Sequence, residues 1–356
     1  MKKVLFLYTE MAPYFIACVE RLVADHDVEV HIVHWPVNQE APFKFSTGGK
    51  VFLHPRASLD QAGLRRLADG LKPDIILCSG WVDKGYLQVC RAARRHGVPT
   101  VMVSDTAWQG RPRQWMALVL ARFWLHRTFS QAWVTGKEQA RYAEYLGFAR
   151  EQIRKGFYAA DLDRFAPLAE RFREGKAKAY PHRFLCVARY IPSKGHQYMM
   201  EAFAELCDAG EAGDWELWCI GTGELFPPAF SHPRITHWGF VQADEVGPYM
   251  GQSGVFVLPS LYEPWGVVVH EHAAAGLPLL LSNAVGARQR FLRKGQNGTC
   301  FNAGSKEALK EGFRTMIATG DDKLLAMGMC SHKLAMEWGP RQWAATLMEL
   351  MQPAHG

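Results

Sequence analysis

Two glutamates, Glu263 and Glu271, stand eight positions apart in the stretch SLYEPWGVVVHEHAAAGLP. A strand pattern, GVFVLPS, comes before them, and a helical pattern runs from about Gly266 to a glycine that is typical of a helix end. Glu263 then lies in the loop at the helix N-terminus, and Glu271 one or two turns into the helix. Because the first N–H groups of a helix have no internal partner, those of Gly266, Val267 and Val268 predict a site for a diphosphate or a sugar hydroxyl.

Two cations and two glycines follow earlier strands. Arg189 and Lys194, in VARYIPSKGHQ, come just after the strand pattern FLCVA, and a helix start follows them. Two cations beside a helix N-terminus can clamp a diphosphate, although a pair of solvated surface charges is the simpler interpretation. Gly221 and Gly223, in CIGTGEL, let a ligand approach the backbone, but GTGELF lacks the third glycine of the dinucleotide fingerprint. A plain tight turn therefore also explains them.

The elements that must position these residues alternate between strand and helix patterns twice along the 356 residues. Such alternation predicts βαβ units and parallel sheets, whose ligands bind at the carboxyl ends of the strands. Residues 157–182 are polar, contain two prolines and show no strand pattern, so they are predicted to be a linker. The expectation is an α/β protein with two Rossmann-like, doubly wound domains facing a central cleft. The first covers 1–160 with a linker to about 182, the second covers 183–338, and 339–356 form a separate helix.

Composition excludes several other classes. The longest apolar run, WMALVLARFWL, is interrupted by Arg122 and is shorter than the roughly 20 residues that span a bilayer. The apolar part of MKKVLFLYTEM is too short for a signal-peptide core, so a first β-strand is expected there. The eight cysteines are scattered without a CxxC pair, which favours reduced, buried thiols of a cytosolic protein over a disulfide framework or a zinc site.

A basic and aromatic window predicts an anionic partner. Between Lys84 and Arg127, Asp105 is the only acidic residue, and six arginines are interleaved with tryptophans: Arg91, Arg94, Arg95, Arg111, Arg113 and Arg122. The partner is a phosphate, a membrane surface or a nucleic acid, and no nucleic-acid-binding motif supports the last. Stretch 108–133 is typical of a membrane-interface helix, but its apolar residues surround the helix almost completely, which favours a buried helix equally.

Several segments, in order over about residues 184–303, together resemble the carboxyl-terminal domain of one enzyme family. They are VARYIPSKG, IGTGE, WGFVQADEVGPYMGQSGVFVLPSLYEPWGVVVHEHAAAGLP and NGTCF. The family is the retaining glycosyltransferase family 4, also called glycosyl transferases group 1, which adopts the GT-B fold. The tail EWGPRQWAATLMEL resembles the family's final helix, which crosses back onto the first domain, and YAADLDRFAP resembles the family's entry into the linker.

The resemblance implies roles for the residues named above. The first domain would serve the acceptor and the second would bind a nucleotide-sugar donor. Arg189 and Lys194 would hold the diphosphate, Glu271 would bind the ribose, and Glu263 would act as a catalytic residue near the reacting carbon. The backbone N–H groups of residues 266–268, the turn at Gly221 and Gly223, and the loop at Val241 would complete the donor site. Family members commonly need no metal, so neither metal nor cofactor is expected.

The amino-terminal half departs from the family pattern. The first loop reads TEMAPYF where the family often has paired glycines, and SDTAW stands where it often has a histidine. Asp105 in that position would act on the donor sugar or as a base toward the acceptor; the alternative is a helix or turn cap. His270 and His272, in HEH, lie about 200° apart on a helix and cannot share one metal ion.

The function that the resemblance implies is a retaining hexosyltransferase-type enzyme that moves a sugar from a nucleoside diphosphate to a glycan. A lipid-linked acceptor of bacterial polysaccharide, O-antigen or capsule assembly is expected. The enzyme would be cytoplasmic and peripheral on the inner membrane face through stretch 108–133, with no nucleic-acid partner. Two alternatives stay open: transfer to a small soluble acceptor, and a sugar-nucleotide 2-epimerase of the same architecture.

Overall fold

A parallel β-sheet forms the centre of each of the two units into which the chain divides. The computed structural model describes residues 1–38, 40, 42–43, 45 and 47–352, except for the side chain of Arg122; the end of the expected C-terminal segment, 353–356, lies outside the described residues. The first unit comprises Met1–Asn38, residues 45–159 and the segment from Trp338, and the second comprises Ala160–Glu337 with Glu40, Pro42 and Phe43. The predicted α/β class with two Rossmann-like sheets is confirmed.

Within the described residues, seven strands and their connecting helices build the first unit. Its elements are β1 (Lys2–Tyr8), α1 (Pro13–Asp25), β2 (Val28–His34), β3 (Val51–Pro55), α2 (Gln61–Leu71), β4 (Ile75–Ser79), α3 (Lys84–Arg95), β5 (Thr100–Ser104), α4 (Pro112–Trp124), β6 (Gln131–Val134), α5 (Lys137–Tyr145) and β7 (Ile153–Lys155). The sheet order is β3-β2-β1-β4-β5-β6-β7. Because the order reverses between β1 and β4, the loops after these strands diverge and leave a crevice at the carboxyl edge of the sheet.

The last helix, α13 (Pro340–Leu350), is part of the core of the first unit. Its Trp343 is fully buried among aromatic rings, with the ring of Trp133 5.0 Å away between centroids. The Trp343 indole N–H donates a 2.6 Å hydrogen bond to the carbonyl oxygen of Phe157. This buried indole, whose one donor is satisfied, fixes the helix against β6 and the segment that follows β7.

The part of the second unit that the structure describes has a sheet of six strands. The elements are α6 (Leu162–Lys178), β8 (Arg183–Val187), α7 (His196–Asp208), β9 (Glu216–Ile220), β10 (Ile235–His237), α8 (Gly247–Gly251), β11 (Val255–Leu258), α9 (Val267–Ala274), β12 (Leu279–Ser282), α10 (Arg288–Phe291), β13 (Gly298–Phe301), α11 (Lys306–Ile317) and α12 (Asp321–Ala335). The sheet order is β10-β9-β8-β11-β12-β13, so the reversal falls between β8 and β11.

Helix α6 occupies most of the segment that the sequence assigns to a linker, and it belongs to the second unit. Asp161 caps its N-terminus by accepting a hydrogen bond from the N–H of Arg164, and Phe165 is buried. The buried ammonium of Lys176 donates to the carbonyl oxygens of Met250 at 3.1 Å and Ser253 at 2.7 Å. Because the segment is rich in charged residues, its sequence resembles a linker. A few inward-facing side chains nevertheless pack this helix against the second unit.

Helix α4 turns one face inward and exposes an apolar face. Gln114 and Ala121 are buried, and the Gln114 amide donates to the Ala107 carbonyl oxygen and accepts from the Gln109 N–H. Five large apolar side chains on the other side are each more than half exposed: Trp115, Met116, Val119, Leu120 and Phe123. The helix is thus not wholly buried. It is also not a usual amphipathic helix, because its exposed face is apolar. Within the described residues, no helix has the length and apolarity to cross a bilayer.

All eight cysteines are free thiols, and five of them are buried. The hydrogen bond with the neighbouring Cys90 thiol, and after it burial, raise the pKa of Cys78 well above its ordinary value. Burial raises the pKa of the Cys186 thiol. The expected burial of several thiols is seen at these five cysteines.

His182 joins two elements of the second unit through two carboxylates. Its Nδ1 lies 2.6 Å from Asp214 and its Nε2 2.9 Å from Asp321. Burial alone would lower the His182 pKa, but the hydrogen bonds to Asp321 and Asp214 outweigh it and raise the pKa above the ordinary 6.5. Only the protonated ring donates to both carboxylates, so this stabilisation is fully present below pH 6.5 and is lost as the pH rises through the raised value.

We therefore expect His182→Gln to lower the free energy of unfolding by about 0.5–1 kcal/mol at pH 6, because both carboxylates are exposed. The loss should be smaller at pH 8.5, because the wild-type ring gives up its proton as the pH rises through its raised pKa. Urea unfolding at the two pH values measures this, with His96→Gln, an exposed histidine, as the matched control. Equal losses at both pH values would contradict the assignment.

Candidate functional site

The candidate site of the second unit lies where β8 and β11 stand side by side at the reversal of strand order. Arg189 and Lys194 follow β8, and Glu263 follows β11. Because neighbouring parallel strands end at the same edge, the loops after them meet. The sequence placed all three side chains after strands, and the structure brings the two loops together.

Lys194 and Glu263 form an ion pair. Their side chains are only 12% and 11% exposed, so the pair is largely shielded from water. The hydroxyl of Ser260 also donates to the same Glu263 oxygen, at 3.4 Å. The family resemblance implied separate partners for these two residues, the diphosphate and the transferred sugar, whereas in the structure they bind each other. A cation and an anion held together this way preorganise each other's position.

The backbone fixes the loop that carries Glu263. The N–H of Leu261 donates to the Ser193 carbonyl oxygen at 2.8 Å, next to Lys194 in the chain. The N–H of Gly286 donates to the Glu263 carbonyl oxygen at 3.0 Å. Both partner segments follow strands of the same sheet, so the loop is held from two sides.

Helix α9 begins directly after this loop, and Gly266 precedes it with φ of +90°. A side chain there would be strained, and its Cβ would lie 3.0 Å from Glu263 Cγ. No side chain in the described chain caps the helix, which leaves the N–H groups of its first turn, including Val267 and Val268, directed toward its open end. That geometry suits an anion, and the predicted helix from about residue 266 is confirmed.

Glu271 lies in the second turn of α9 and is half-buried. Burial chiefly raises its pKa to about 7; the nearby carboxylate of Asp161 adds to the rise, and Arg164 opposes it. Within the described residues, no group forms a hydrogen bond with the Glu271 carboxylate, so its oxygens can accept hydrogen bonds from a ligand. Sequence reasoning missed Asp161 and Arg164, whose signal was the helix start DLDRF inside the supposed linker.

Arg189 makes a different contact. Its guanidinium lies 3.2 Å from the carboxylate of Glu40, and the hydroxyl of Thr222 donates to the Glu40 carbonyl oxygen at 3.0 Å. Val241 is half-buried in the loop after β10, between Phe240, whose ring lies 5.4 Å from that of Phe43, and Gln242. Glu40 and Phe43 therefore lie beside the loops that carry the predicted Arg189 and Val241 positions, and they belong to the second unit.

Gly221 and Gly223 bring one loop against another. Both have positive φ, +137° and +155°. A Cβ at Gly221 would collide with the carbonyl oxygen of Ala188, and one at Gly223 would lie 2.6 Å from that of Tyr190. The two glycines let the loop after β9 pack against the backbone that leads to Arg189 and Lys194. The two glycines therefore act by setting the backbone conformation of the loops at the site.

We expect Gly221→Ala to lower the stability of the second unit by about 2–4 kcal/mol, because the new methyl group adds a backbone collision to an unfavourable φ. Gly210→Ala is the matched control: its φ is +75°, but a Cβ there meets nothing within 4 Å. It should cost only about 1 kcal/mol. Thermal unfolding compares the two, and equal losses would contradict the role of the close approach.

Asp105, in the first unit, follows β5 and is half-buried beside a group of tyrosines. The hydroxyl of Tyr158 donates to its carboxylate at 3.5 Å. Burial raises the pKa of Tyr158 and of Tyr8, and the charge of Asp105 contributes to both shifts. The next helix, α4, begins at Pro112, so Asp105 is not its cap. Sequence reasoning missed the tyrosines, which lie on segments distant in the chain.

The HEH histidines are structural. His270 is buried, accepts from the N–H of Ala160 at 3.0 Å and lies 3.0 Å from the carbonyl oxygen of Ala335. His272 is buried against Phe256, and burial lowers its pKa to about 3. In the part of the chain that the structure describes, no group of three or more His, Cys, Asp or Glu side chains has the arrangement of a metal site.

Two family profiles match the chain. One, described as "Glycosyl transferases group 1", matches residues 181–319, and the other, described as "Glycosyl transferase 4-like domain", matches residues 11–154. With the two Rossmann-like sheets and the strand-end site, these matches define a glycosyltransferase. The chain belongs to the group 1, or family 4, glycosyltransferases with the GT-B fold.

Individual relatives agree with this family. A GDP-mannose-dependent alpha-(1-6)-phosphatidylinositol monomannoside mannosyltransferase of Mycolicibacterium smegmatis is 24% identical, over 95% of this chain and 93% of the relative. The lipopolysaccharide core biosynthesis glycosyltransferase LpsE of Rhizobium meliloti is 28% identical over 38% of this chain and 39% of its own. Among solved structures, Anabaena HepE in complex with UDP and glucose has a TM-score of 0.70 at 16% identity, covering 98% of this chain and 99% of that one.

Proposed function

We propose that this glycosyltransferase takes its sugar from a nucleoside diphosphate donor bound by the second unit. The shielded Lys194–Glu263 pair beside the open N-terminus of α9 is the observation that carries the proposal. The ammonium and the helix N–H groups would bind the diphosphate, with Arg189 supplying a second cation. A structural relative bound to UDP and glucose supports this donor class.

The proposed reaction keeps the anomeric configuration. Charge develops on the departing diphosphate, and Lys194, Arg189 and the α9 N–H groups would stabilise it, without a metal ion or cofactor. Glu263 would contact the transferred sugar, Glu271 would accept hydrogen bonds from the ribose, and the backbone near Val241 would lie beside the base. Asp105 is the first unit's candidate for an acceptor base.

The proposed acceptor is a lipid-linked glycan, as in bacterial polysaccharide, O-antigen or capsule assembly. Two relatives support it by name: one acts on a phosphatidylinositol mannoside and the other in lipopolysaccharide core biosynthesis. The exposed apolar face of α4 and the arginines around it would hold the enzyme on the cytoplasmic face of the inner membrane. No nucleic-acid partner is proposed.

A thermal-shift panel of UDP, GDP, ADP, dTDP and their common sugar conjugates, with EDTA present, tests the donor site. A nucleotide at a hundred times its dissociation constant should add about 2.7 kcal/mol of stability. No shift with any nucleotide would contradict the proposal. Proton NMR of the product would then establish the anomeric configuration, and conversion of the donor alone into an epimer would indicate a 2-epimerase instead.

A further inference from the structure

A second concave site lies in the first unit, between the C-terminal ends of α3 and α4. Its cavity has a volume of about 650 Å³ and is lined by four arginines with aromatic side chains between them. The arginines are Arg91, Arg94, Arg95 and Arg127. Of these, Arg94, Arg95 and Arg127 are exposed. Within the described part of the chain, none of the four pairs with a carboxylate, so their charge is available to a ligand.

One arginine is held in place by the protein itself. The Nε of Arg91 donates to the Thr128 hydroxyl at 3.0 Å, and its guanidinium lies 5.9 Å from the ring of Trp124. The Thr128 hydroxyl in turn donates to the Trp124 carbonyl oxygen at 2.8 Å. Arg91 is thus a fixed, half-buried cation at the side of the cavity, whereas a purely solvated charge would need no such support.

The cavity is far from the residues proposed for chemistry in the same unit. Arg94 and Arg95 end α3 and come before β5, whereas Asp105 follows β5. The cavity therefore lies at the N-terminal end of β5 and Asp105 at its C-terminal end, and this five-residue strand of about 16 Å separates them. A ligand in this cavity would be bound for docking, away from the reacting groups.

The exposed face of α4 runs directly to this cavity. Trp115, Val119 and Phe123 recur every four residues, and the whole exposed apolar set spans about 140° of the helix at 100° per residue. Phe123 belongs both to this face and to the cavity lining. Exposed arginines, Arg111 and Arg113, stand at the other end of the helix. Apolar residues in the middle and cations at both ends fit a helix lying in the plane of an anionic bilayer.

We infer that the four-arginine cavity binds the phosphate of a membrane lipid headgroup while the α4 face inserts beside it. Arginine side chains bind phosphate through paired, charge-assisted hydrogen bonds, and an adjacent apolar face provides the place for the lipid's acyl chains. This inference rests on the proposed lipid-linked acceptor, but it assigns a separate headgroup site to this chain's own residues.

Vesicle co-sedimentation in 100 mM NaCl tests the inference, with phosphatidylcholine vesicles and vesicles containing 30% phosphatidylglycerol. We expect the full chain to prefer the anionic vesicles, and Arg94→Gln/Arg95→Gln to weaken that binding roughly 25-fold. The matched control is Arg65→Gln/Arg66→Gln, which removes two exposed charges from α2 and should change binding less than threefold.

Three outcomes would overturn the inference. Equal losses of vesicle binding in both double variants would mean that diffuse charge attracts the membrane, and binding of inorganic phosphate without any vesicle binding would mean a site for a free anion. The third outcome is a preference for a single-stranded oligonucleotide over vesicles. The UDP and GDP thermal shifts, measured on the same samples, report the donor site separately. Lost vesicle binding with retained nucleotide shifts supports the headgroup site, and absent nucleotide shifts would count against the proposed function alone.

Discussion

Replacing Lys194 with methionine should reduce kcat/KM for the donor by about a hundredfold to a thousandfold, because it removes the most shielded cation of the proposed diphosphate site. The same change should lower the free energy of unfolding by about 3 kcal/mol. Glu263 would then keep a charge with no counterion in a place that is only 11% exposed. Steady-state kinetics and urea unfolding of one preparation measure the two effects.

A double variant separates the contribution of the Lys194–Glu263 pair to activity from its contribution to stability. In Lys194→Met/Glu263→Gln no unpaired charge remains, so stability should return to within about 1 kcal/mol of the wild type. Activity should stay lost, because neither the cation nor the carboxylate is present. Wild-type turnover in the double variant would show that the pair is structural and would remove both residues from the site.

Lys306→Met is the matched control for this pair. Lys306 also forms an ion pair, with Glu205, but both side chains are more than a third exposed. An exposed pair contributes little, so this variant should keep a stability close to that of the wild type and retain its activity. Comparable losses at Lys194 and Lys306 would mean that the shielding of the Lys194–Glu263 pair has no energetic consequence.

The strands that the sequence predicts correctly are those with uninterrupted apolar runs, such as β1 and β11, because central strands of a parallel sheet are buried on both faces. The sequence missed β3 and β7. β3 is an edge strand with Phe52 exposed, and β7 has only three residues. Such strands exist because a neighbouring strand offers them hydrogen bonds, and that information is not local.

The distinction between local and long-range information applies also to the helices and to the site. α6 has a charged surface and few buried residues, and its packing against its own unit outweighs the linker-like composition. At the site, the order of the segments placed Arg189, Lys194 and Glu263 after strands. The Lys194–Glu263 ion pair and the Asp161 charge near Glu271 depend on how distant segments come together, which no spacing in the sequence encodes.

Glu271 is predicted to have opposite effects on stability and on donor binding. Burial chiefly raises its pKa to about 7, so the folded protein holds a proton that the unfolded chain loses above about pH 4.5. The stability that Glu271 contributes is therefore fully present below pH 4.5 and is lost as the pH rises through 7. Over that interval the loss approaches about 3 kcal/mol, and less where water reaches the carboxylate.

Glu271→Gln should consequently stabilise the free protein, and the gain should be about 1–2 kcal/mol larger at pH 8 than at pH 5.5. An amide cannot ionise and escapes the cost of burying a charge. Glu170→Gln, an exposed glutamate on α6, is the matched control and should change stability by less than about 0.5 kcal/mol at both pH values. Thermal unfolding without nucleotide measures the difference, and a destabilised Glu271→Gln at pH 8 would contradict the buried charge.

Glu271→Gln should lower the affinity for the donor nucleotide although it raises the stability of the free protein. In the proposed donor site, ribose hydroxyls would donate to the ionised Glu271 carboxylate. A charge-assisted hydrogen bond contributes about 1.5–3 kcal/mol, so Glu271→Gln should weaken nucleotide binding roughly tenfold to a hundredfold at pH 8. At pH 5.5 the wild-type carboxyl is itself protonated, and the two affinities should converge. Titration calorimetry with UDP or GDP, in two buffers of different ionisation enthalpy, should also detect proton release on binding near pH 6.5. Equal affinities at pH 8 would remove Glu271 from the donor site, whereas higher stability with weaker binding would mean that the fold tolerates a costly buried carboxyl for the sake of the nucleotide.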